Sequence, residues 1–290
     1  MTCIEARGLR KNYGKSVALD GIDLRIDEGR IVGLIGPNGA GKSTALHAIL
    51  GLTPYDGELR VLGHNPWADR DALMRDVCFI ADVAVLPRWI KVSQALDYVA
   101  GVHPRFDRAR AEALLARTSV PKNAKVKTLS KGMTVQLHLA LVMAIDAKLL
   151  VLDEPTLGLD LLYRKQFYDA LLNEYFDGRR TILITTHQVE EIQDILTDLI
   201  FIQHGRIVLD SSMEALEARY TELMVRPEQT DAARALKPLR ERRVFSRSVM
   251  LFDNVPREQL QQFGELRTPS IAELFVATME ESQARQEVIQ

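Results

Sequence analysis

Short apolar runs at 31–35, 148–152 and 181–185 set the pattern of the chain. Each is about a strand long and is bounded by glycine or polar residues, which predicts buried strands of a sheet covered on both faces. Weaker strand patterns lie at 4–10, 22–26, 57–63, 77–81, 199–203 and 206–210, with turns around 12–15 and at His204-Gly205. Helical spacing fills 45–50, closed by Gly51 as a C-cap, and 69–75. It fills much of 94–118 and 133–147 as well, split by Pro104 and Pro121, with Ser93 resembling the N-cap of a helix over 94–102. Residues 83–147 thus read as a helical insert between strands of an α/β core. Beyond about 220 the pattern changes to strands at 223–225 and 244–252 and helices at 231–236, 257–262 and 271–280. That tail reads as a small α+β appendage, with the basic run 240–243 as a solvated face.

Chemistry concentrates where the apolar runs end. The first runs into Gly36-Pro-Asn-Gly-Ala-Gly41-Lys42-Ser43-Thr44. Strand, glycine loop and helix in that order make a phosphate cradle. Gly36, Gly39 and Gly41 let successive N–H groups turn inward, and the helix dipole adds positive potential. Lys42 would reach the β- and γ-phosphates and the Ser43 hydroxyl would complete a Mg²⁺ shell. The second run ends in Asp153-Glu154-Pro155. Carboxylates at the end of a buried strand project into the crevice where open α/β sheets bind ligands. Asp153 would hold Mg²⁺ through water and Glu154 would polarise the attacking water. The third run leads to His187, where a γ-phosphate could be met. The other five histidines show no ligand spacing. Ser130, in Leu129-Ser-Lys-Gly-Met133, is by itself only a plausible helix N-cap. Tyr13, read as lying on a loop, is either a platform for a base or ordinary packing; position alone leaves both open.

Composition narrows the function class. The 290 residues hold one large domain, or one plus a small appendage. A net charge of −2 argues against nucleic-acid binding by field alone. Two cysteines, Cys3 and Cys78, form no framework and suit a reducing cytosol. The start, MTCIEARGLRKNYG, has no apolar core of a secretory signal, and 137–152 is interrupted by Asp146 and Lys148 and too short to cross a bilayer. Any membrane link is expected to run through a partner.

Taken in order, Tyr13, GPNGAGKST at 36–44, LSKGM at 129–133, LLVLDEP at 149–155, LGLD at 157–160 and TTHQ at 185–188 resemble the ATP-binding cassette (ABC) ATPases over roughly residues 4–215. The resemblance implies an α/β P-loop NTPase core with an N-terminal antiparallel β-subdomain, an inserted helical subdomain (83–147) and the C-terminal α+β appendage. The expected domains are a nucleotide-binding domain at 1–220 and an accessory domain at 221–290. It implies ATP and Mg²⁺ as cofactors, held by Gly36, Asn38, Gly39, Ala40, Gly41, Lys42, Ser43 and Thr44. Tyr13 would stack on adenine. Asp153 matches the metal-binding acid, Glu154 the base and His187 the switch histidine. Ser130 and Gly132 match positions that touch the γ-phosphate across a head-to-tail dimer, and Asp160 matches a residue linking its two sites.

Three positions depart from the family pattern: Lys131 stands where glycine is usual, Met133 where glutamine is frequent, and Asp82 where glutamine or glutamate is usual. Asp82 is carried over as a metal contact through water. A single cassette without fused membrane segments resembles the separate ATPase subunit of a bacterial exporter. The tail sequence TPSIAELF (268–275) resembles the terminal segment of type-2-like exporter ATPases. The partners implied are a second cassette, with a homodimer favoured, and a multi-span permease, with no nucleic acid. The location implied is peripheral, on the cytoplasmic face of the inner membrane. The alternative is a cassette ATPase acting on ribosomes, DNA or iron–sulfur assembly. The single cassette and the short insert argue against its translation-factor and DNA-repair forms.

Overall fold

The computed structural model describes residues 1–81, 86–157, 159–245 and 247–289. The chain forms two compact units, one of residues 1–196 and 202–207, the other of 197–201 and 208–290.

The first unit opens with a hairpin of β1 (Thr2–Tyr13) and β2 (Ser16–Asp27), turning at Gly14 with φ +59°. Both strands run past the limits expected from pattern. Tyr13 is the last residue of β1, paired with Ser16, and not a loop residue. β3 (Ile31–Ile35) is buried at every position. It leads through the glycine loop into α1 (Lys42–Ile49), which starts three residues before the apolar spacing begins, because Gly41 serves as N-cap. β4 (Asp56–Val61) pairs with β1, giving an antiparallel sheet in the order β2-β1-β4. A short α2 (Arg70–Leu73) precedes β5 (Val77–Ala81).

The helical insert follows as α3 (Val92–Val102), α4 (Arg108–Ala116) and α5 (Lys131–Met143). Ser93 is not the cap. The helix begins at Val92 with Lys91 as N-cap, two residues before Ser93, and Gln94 Oε1 reaches back to accept from the Lys91 N–H at 2.9 Å. Val92, Ala95, Leu96, Ala111, Leu115 and Leu137 bring the three helices onto a small core of their own. The chain then returns through β6 (Leu149–Asp153), α6 (Leu161–Ala170) with a π turn at Leu171–Tyr175, and β7 (Thr181–Thr186). In the largest sheet β5, β6, β7 and β3 lie side by side in that order, every pairing parallel. The apolar runs are therefore its buried centre, as a parallel sheet requires. The division between the two units falls inside the next hairpin, β8 (Asp198–Gln203) and β9 (Arg206–Ser212).

The second unit continues with α7 (Met213–Arg219), β10 (Tyr220–Val225), α8 (Thr230–Arg234), β11 (Arg240–Val244), β12 (Arg247–Asp253), α9 (Arg257–Gln261), β13 (Gly264–Arg267) and α10 (Ile271–Ile289). Its sheet is antiparallel, ordered β11-β12-β10-β13, around Leu223, Val225, Met250, Phe252 and Leu260. The strand expected over 244–252 is broken: the chain reverses at Phe245, with φ +54°, into a hairpin. The run 240–243 is a strand and only partly a solvated face. Arg240 pairs with Glu273 and Glu280, and Arg242 pairs with Glu222 and Glu273.

Candidate functional site

Parallel register decides what meets at the end of the sheet. Ala81 lies beside Asp153, Asp153 beside Thr185, and Ile35 beside Thr186. The residues that follow these strands, Gly36, Glu154 and His187, thus leave the sheet at one level. Asp82 belongs to the same level in sequence but lies outside the described residues, as does Gly158.

The loop after β3 needs its glycines for space as well as for backbone freedom. A Cβ on Gly36 would sit 2.3 Å from the Ile202 carbonyl oxygen. Gly41 has φ +111°, and a Cβ there would sit 2.6 Å from the Ala18 carbonyl oxygen. Ala40 is buried, its N–H donating to Pro37 O at 3.1 Å, whereas Asn38 and Gly39 are exposed. Lys42 is 7% exposed, and its ammonium turns back to donate to Gly36 O at 2.7 Å and Pro37 O at 3.3 Å. Burial pushes its pKa down, and the nearby carboxylates of Glu154 and Asp153 pull it back up. Ser43 is exposed on the first turn of α1, with Thr44 half-buried behind it.

Asp153 is half-buried and accepts from the Thr185 hydroxyl across the β6–β7 pair. Glu154 adopts φ +49°, a left-handed backbone that a non-glycine residue holds at a cost of ~1–2 kcal/mol. Its N–H donates to Thr185 O at 3.0 Å, and that hydrogen bond helps to keep it there. Both Glu154 carboxylate oxygens lie 3.0 Å from His187 Nδ1. His187 is exposed and Glu154 half-buried. A carboxylate held by an imidazole beside a buried lysine and a glycine loop is an arrangement for moving a proton next to an anion. No cluster of three or more metal-ligating side chains occurs among the described residues. A divalent cation here would need oxygens from the substrate, which suits Mg²⁺ beside one carboxylate and one hydroxyl, Asp153 and Ser43.

The remaining expected residues sit apart from this cluster. Tyr13 is 50% exposed, with Lys11 Nζ 5.1 Å from its ring centroid. Ser130 caps α5, accepting from the Met133 N–H at 3.2 Å. Gly132 is buried against the Tyr163 ring, where a Cβ would come within 2.2 Å. Asp160 caps α6 through the Tyr163 N–H at 3.2 Å. Among the described residues no hydrogen bond or ion pair joins Ser130, Gly132 or Asp160 to residues 36–44.

Sequence reasoning missed a second layer. Arg164 contacts Leu159, Gln188 and Glu191, and Thr156 hydrogen-bonds toward Glu191 and Tyr168. The one available signal was the i, i+4 spacing from Asp160 to Arg164 at a helix start. The Thr185 contact was implicit in strand register, which a sequence does not display.

Known proteins resemble this chain in sequence and in fold. Residues 19–157 match the ABC transporter family. Over 302 residues the chain is 31% identical to the daunorubicin resistance ATP-binding protein DrrA3 of Streptomyces coeruleorubidus, covering 95% of each protein. It is 35% identical over 224 residues to the Nod factor export ATP-binding protein I of Cupriavidus pinatubonensis, covering 71% of this chain and 65% of that one. A solved ATP-binding subunit of an ABC transporter superposes with a TM-score of 0.66 at 24% identity, over 75% of this chain and 92% of that one. A nucleotide-free ATP-binding cassette gives 0.64 at 19% identity, over 75% and 94%. At those identities the structural likeness speaks for the fold alone.

Proposed function

The chain belongs to the ATP-binding subunits of ABC transporters and is an ATPase coupled to transport, and from that premise we propose that it drives a membrane exporter by hydrolysing MgATP between two paired cassettes. Relatives named for daunorubicin resistance and Nod factor export support the exporter reading. The same relatives support a separate membrane permease as the partner that supplies the pathway; no helix among the described residues is long and apolar enough to cross a membrane. The ATPase then works from the cytoplasmic face as a peripheral subunit.

The observation that carries the mechanism is the shared level of Gly36, Glu154 and His187, with Glu154 held in a left-handed backbone between Thr185 and His187. The loop 36–44 receives the triphosphate on its N–H groups, and Lys42 offers its ammonium to the β/γ oxygens. Ser43 and Asp153 would hold Mg²⁺, with Asp82, outside the described residues, as the further metal contact expected from sequence; bound there, the ion would neutralise charge on the transferring phosphoryl group. Glu154 takes a proton from the attacking water, and His187 keeps the carboxylate aimed at it. Tyr13 stacks on the adenine ring. Ser130 and Gly132 serve the site of the partner cassette, and Asp160 links the two sites. Two identical chains would give two equivalent sites. Residues 1–220 form the nucleotide-binding domain, with 221–290 as an accessory domain for assembly or regulation.

The test is Glu154→Gln, which keeps shape and removes the base. Hydrolysis should fall by at least ~100-fold, the scale of one lost proton-transfer group. ATP should accumulate a dimer on light scattering that ADP does not, with the measurement repeated on the permease complex. Unchanged turnover would remove Glu154 from the chemistry, and a variant that stays monomeric with ATP in both settings would refute self-pairing.

A further inference from the structure

We propose that Arg164 is a positioning residue that fastens the loop carrying Glu154 to the loop carrying His187, so that the two act as one rigid element during hydrolysis; the inference rests on reading Glu154 and His187 as the hydrolytic pair. Arg164 lies on α6, four residues beyond the cap Asp160. Its side chain turns back on the helix start instead of pointing to solvent, and is 20% exposed. Nε donates to the Leu159 carbonyl at 2.7 Å, immediately before Asp160. Nη1 donates to Gln188 Oε1, immediately after His187, and to Glu191 Oε1. One guanidinium thus holds backbone from the segment after β6 and two side chains from the segment after β7.

Glu191 extends the clamp. Its side chain is 15% exposed, and Oε2 accepts from the Thr156 hydroxyl at 3.4 Å. The Thr156 hydroxyl lies 3.2 Å from the Tyr168 hydroxyl, one turn beyond Arg164 on α6. Thr156 follows Glu154 by two residues and is 3% exposed; Tyr168 is 4% exposed. The path Tyr168–Thr156–Glu191–Arg164–Leu159 closes a ring through helix, first loop, second loop and helix again. Each carboxylate oxygen of Glu191 therefore serves a different segment.

Only arginine fits this role. Its planar fork presents several donors in fixed directions, whereas a lysine ammonium concentrates charge at one point on a flexible stem. The three acceptors lie on two chain segments, and bridging them fixes the angle between those segments. Merely filling the space would call for an apolar side chain, because a half-buried ion pair contributes little to stability against a well-packed hydrophobic replacement. The value of the pair is geometric. The left-handed backbone of Glu154 and the half-exposed imidazole of His187 both sit on segments that the clamp joins.

The experiment uses the full chain, with ATP binding, steady-state hydrolysis and thermal unfolding measured on wild type, Arg164→Met, Arg164→Lys and Glu191→Gln. Arg164→Met should keep the ATP dissociation constant within about threefold and lower kcat by tenfold or more. Arg164→Lys should fall between Met and wild type, and Glu191→Gln should lower kcat at least threefold with KM unchanged. A folded Arg164→Met with wild-type kcat overturns the inference. Parallel loss of ATP affinity, kcat and Tm also overturns it, since that marks a stability role. If Arg164→Met does not fold, Glu191→Gln decides, and an unchanged kcat there overturns the proposal. An inactive wild type, or Glu154→Gln with full turnover, would instead refute the underlying assignment of the hydrolytic pair.

Discussion

His138 gives a stability prediction whose sign and size come from the structure. It lies on the inner face of α5, 7% exposed, with a buried Nε2 that has no hydrogen-bond partner among the described residues. It lines a cavity of about 360 Å³ with Cys78, Phe79, Leu141, Val142 and Ile145, which offer an imidazolium no counter-charge. Burial pushes its pKa down to about 4. In the unfolded chain the same ring titrates near ~6.5. Between those values the unfolded state binds a proton that the folded state refuses, so stability falls as pH falls from 6.5 toward 4. The limiting slope is ~1.4 kcal/mol per pH unit, and the loss from this one residue reaches ~2 kcal/mol at pH 5 and ~3 kcal/mol at pH 4.

The assay is urea unfolding followed by tryptophan emission at pH 7.5 and 5.0, since Trp67 and Trp89 both report on the first unit. His138→Leu supplies an apolar side chain of similar volume that cannot titrate. The drop in unfolding free energy between the two pH values should be ~2 kcal/mol smaller in the variant than in wild type. Equal drops would show that His138 is not held neutral in an apolar site, and the burial argument would fall.

Two further outcomes follow from the loop and the domain boundary. Gly39→Ala meets open space and only left-handed strain, ~1 kcal/mol, whereas Gly41→Ala adds a clash with the Ala18 carbonyl oxygen; without nucleotide, Gly41→Ala should melt clearly lower, and equal melting points would contradict the loop geometry. A 1–220 fragment should bind ATP but unfold more easily than the full chain, because Phe201 loses its edge-to-face contact with Phe275 at 5.1 Å; a folded fragment without ATP affinity would move the boundary.

What the sequence displayed was the part of the site fixed by local spacing. Gly36 to Ser43 is one turn of chain, and Asp153, Glu154 and His187 each end an apolar run, so pattern alone locates them. The clamp was invisible because its partners are far apart in sequence. Arg164 and Glu191 are separated by 27 residues, and Thr156 and Glu191 by 35. The segment now seen as α6 drew no assignment from pattern, since Leu161 and Leu162 point outward, 78% and 63% exposed, while Phe167 and Tyr168 face the core. In the tail, apolar content over 244–252 suggested one strand, yet Phe245 is fully exposed at a reversal. The four residues of β13, Gly-Glu-Leu-Arg, carry too little pattern to read; only pairing with β10 makes them a strand.

The contacts of Lys42 bear on how this site meets its substrate. Lys42 is 7% exposed, so its ammonium must have hydrogen-bond partners, and it takes them from the loop it would serve, at Gly36 O and Pro37 O. Those contacts tie the end of the loop to its beginning. An ammonium has three donors, so a phosphate oxygen can take a further one without breaking both. Burial pulls the pKa of the group down, and the carboxylates of Glu154 and Asp153 oppose that pull. On the proposed reading, hydrolysis depends further on the path from Glu154 to the reacting phosphoryl group. That path depends on the segments after β6 and β7 moving together, which is the task assigned to Arg164.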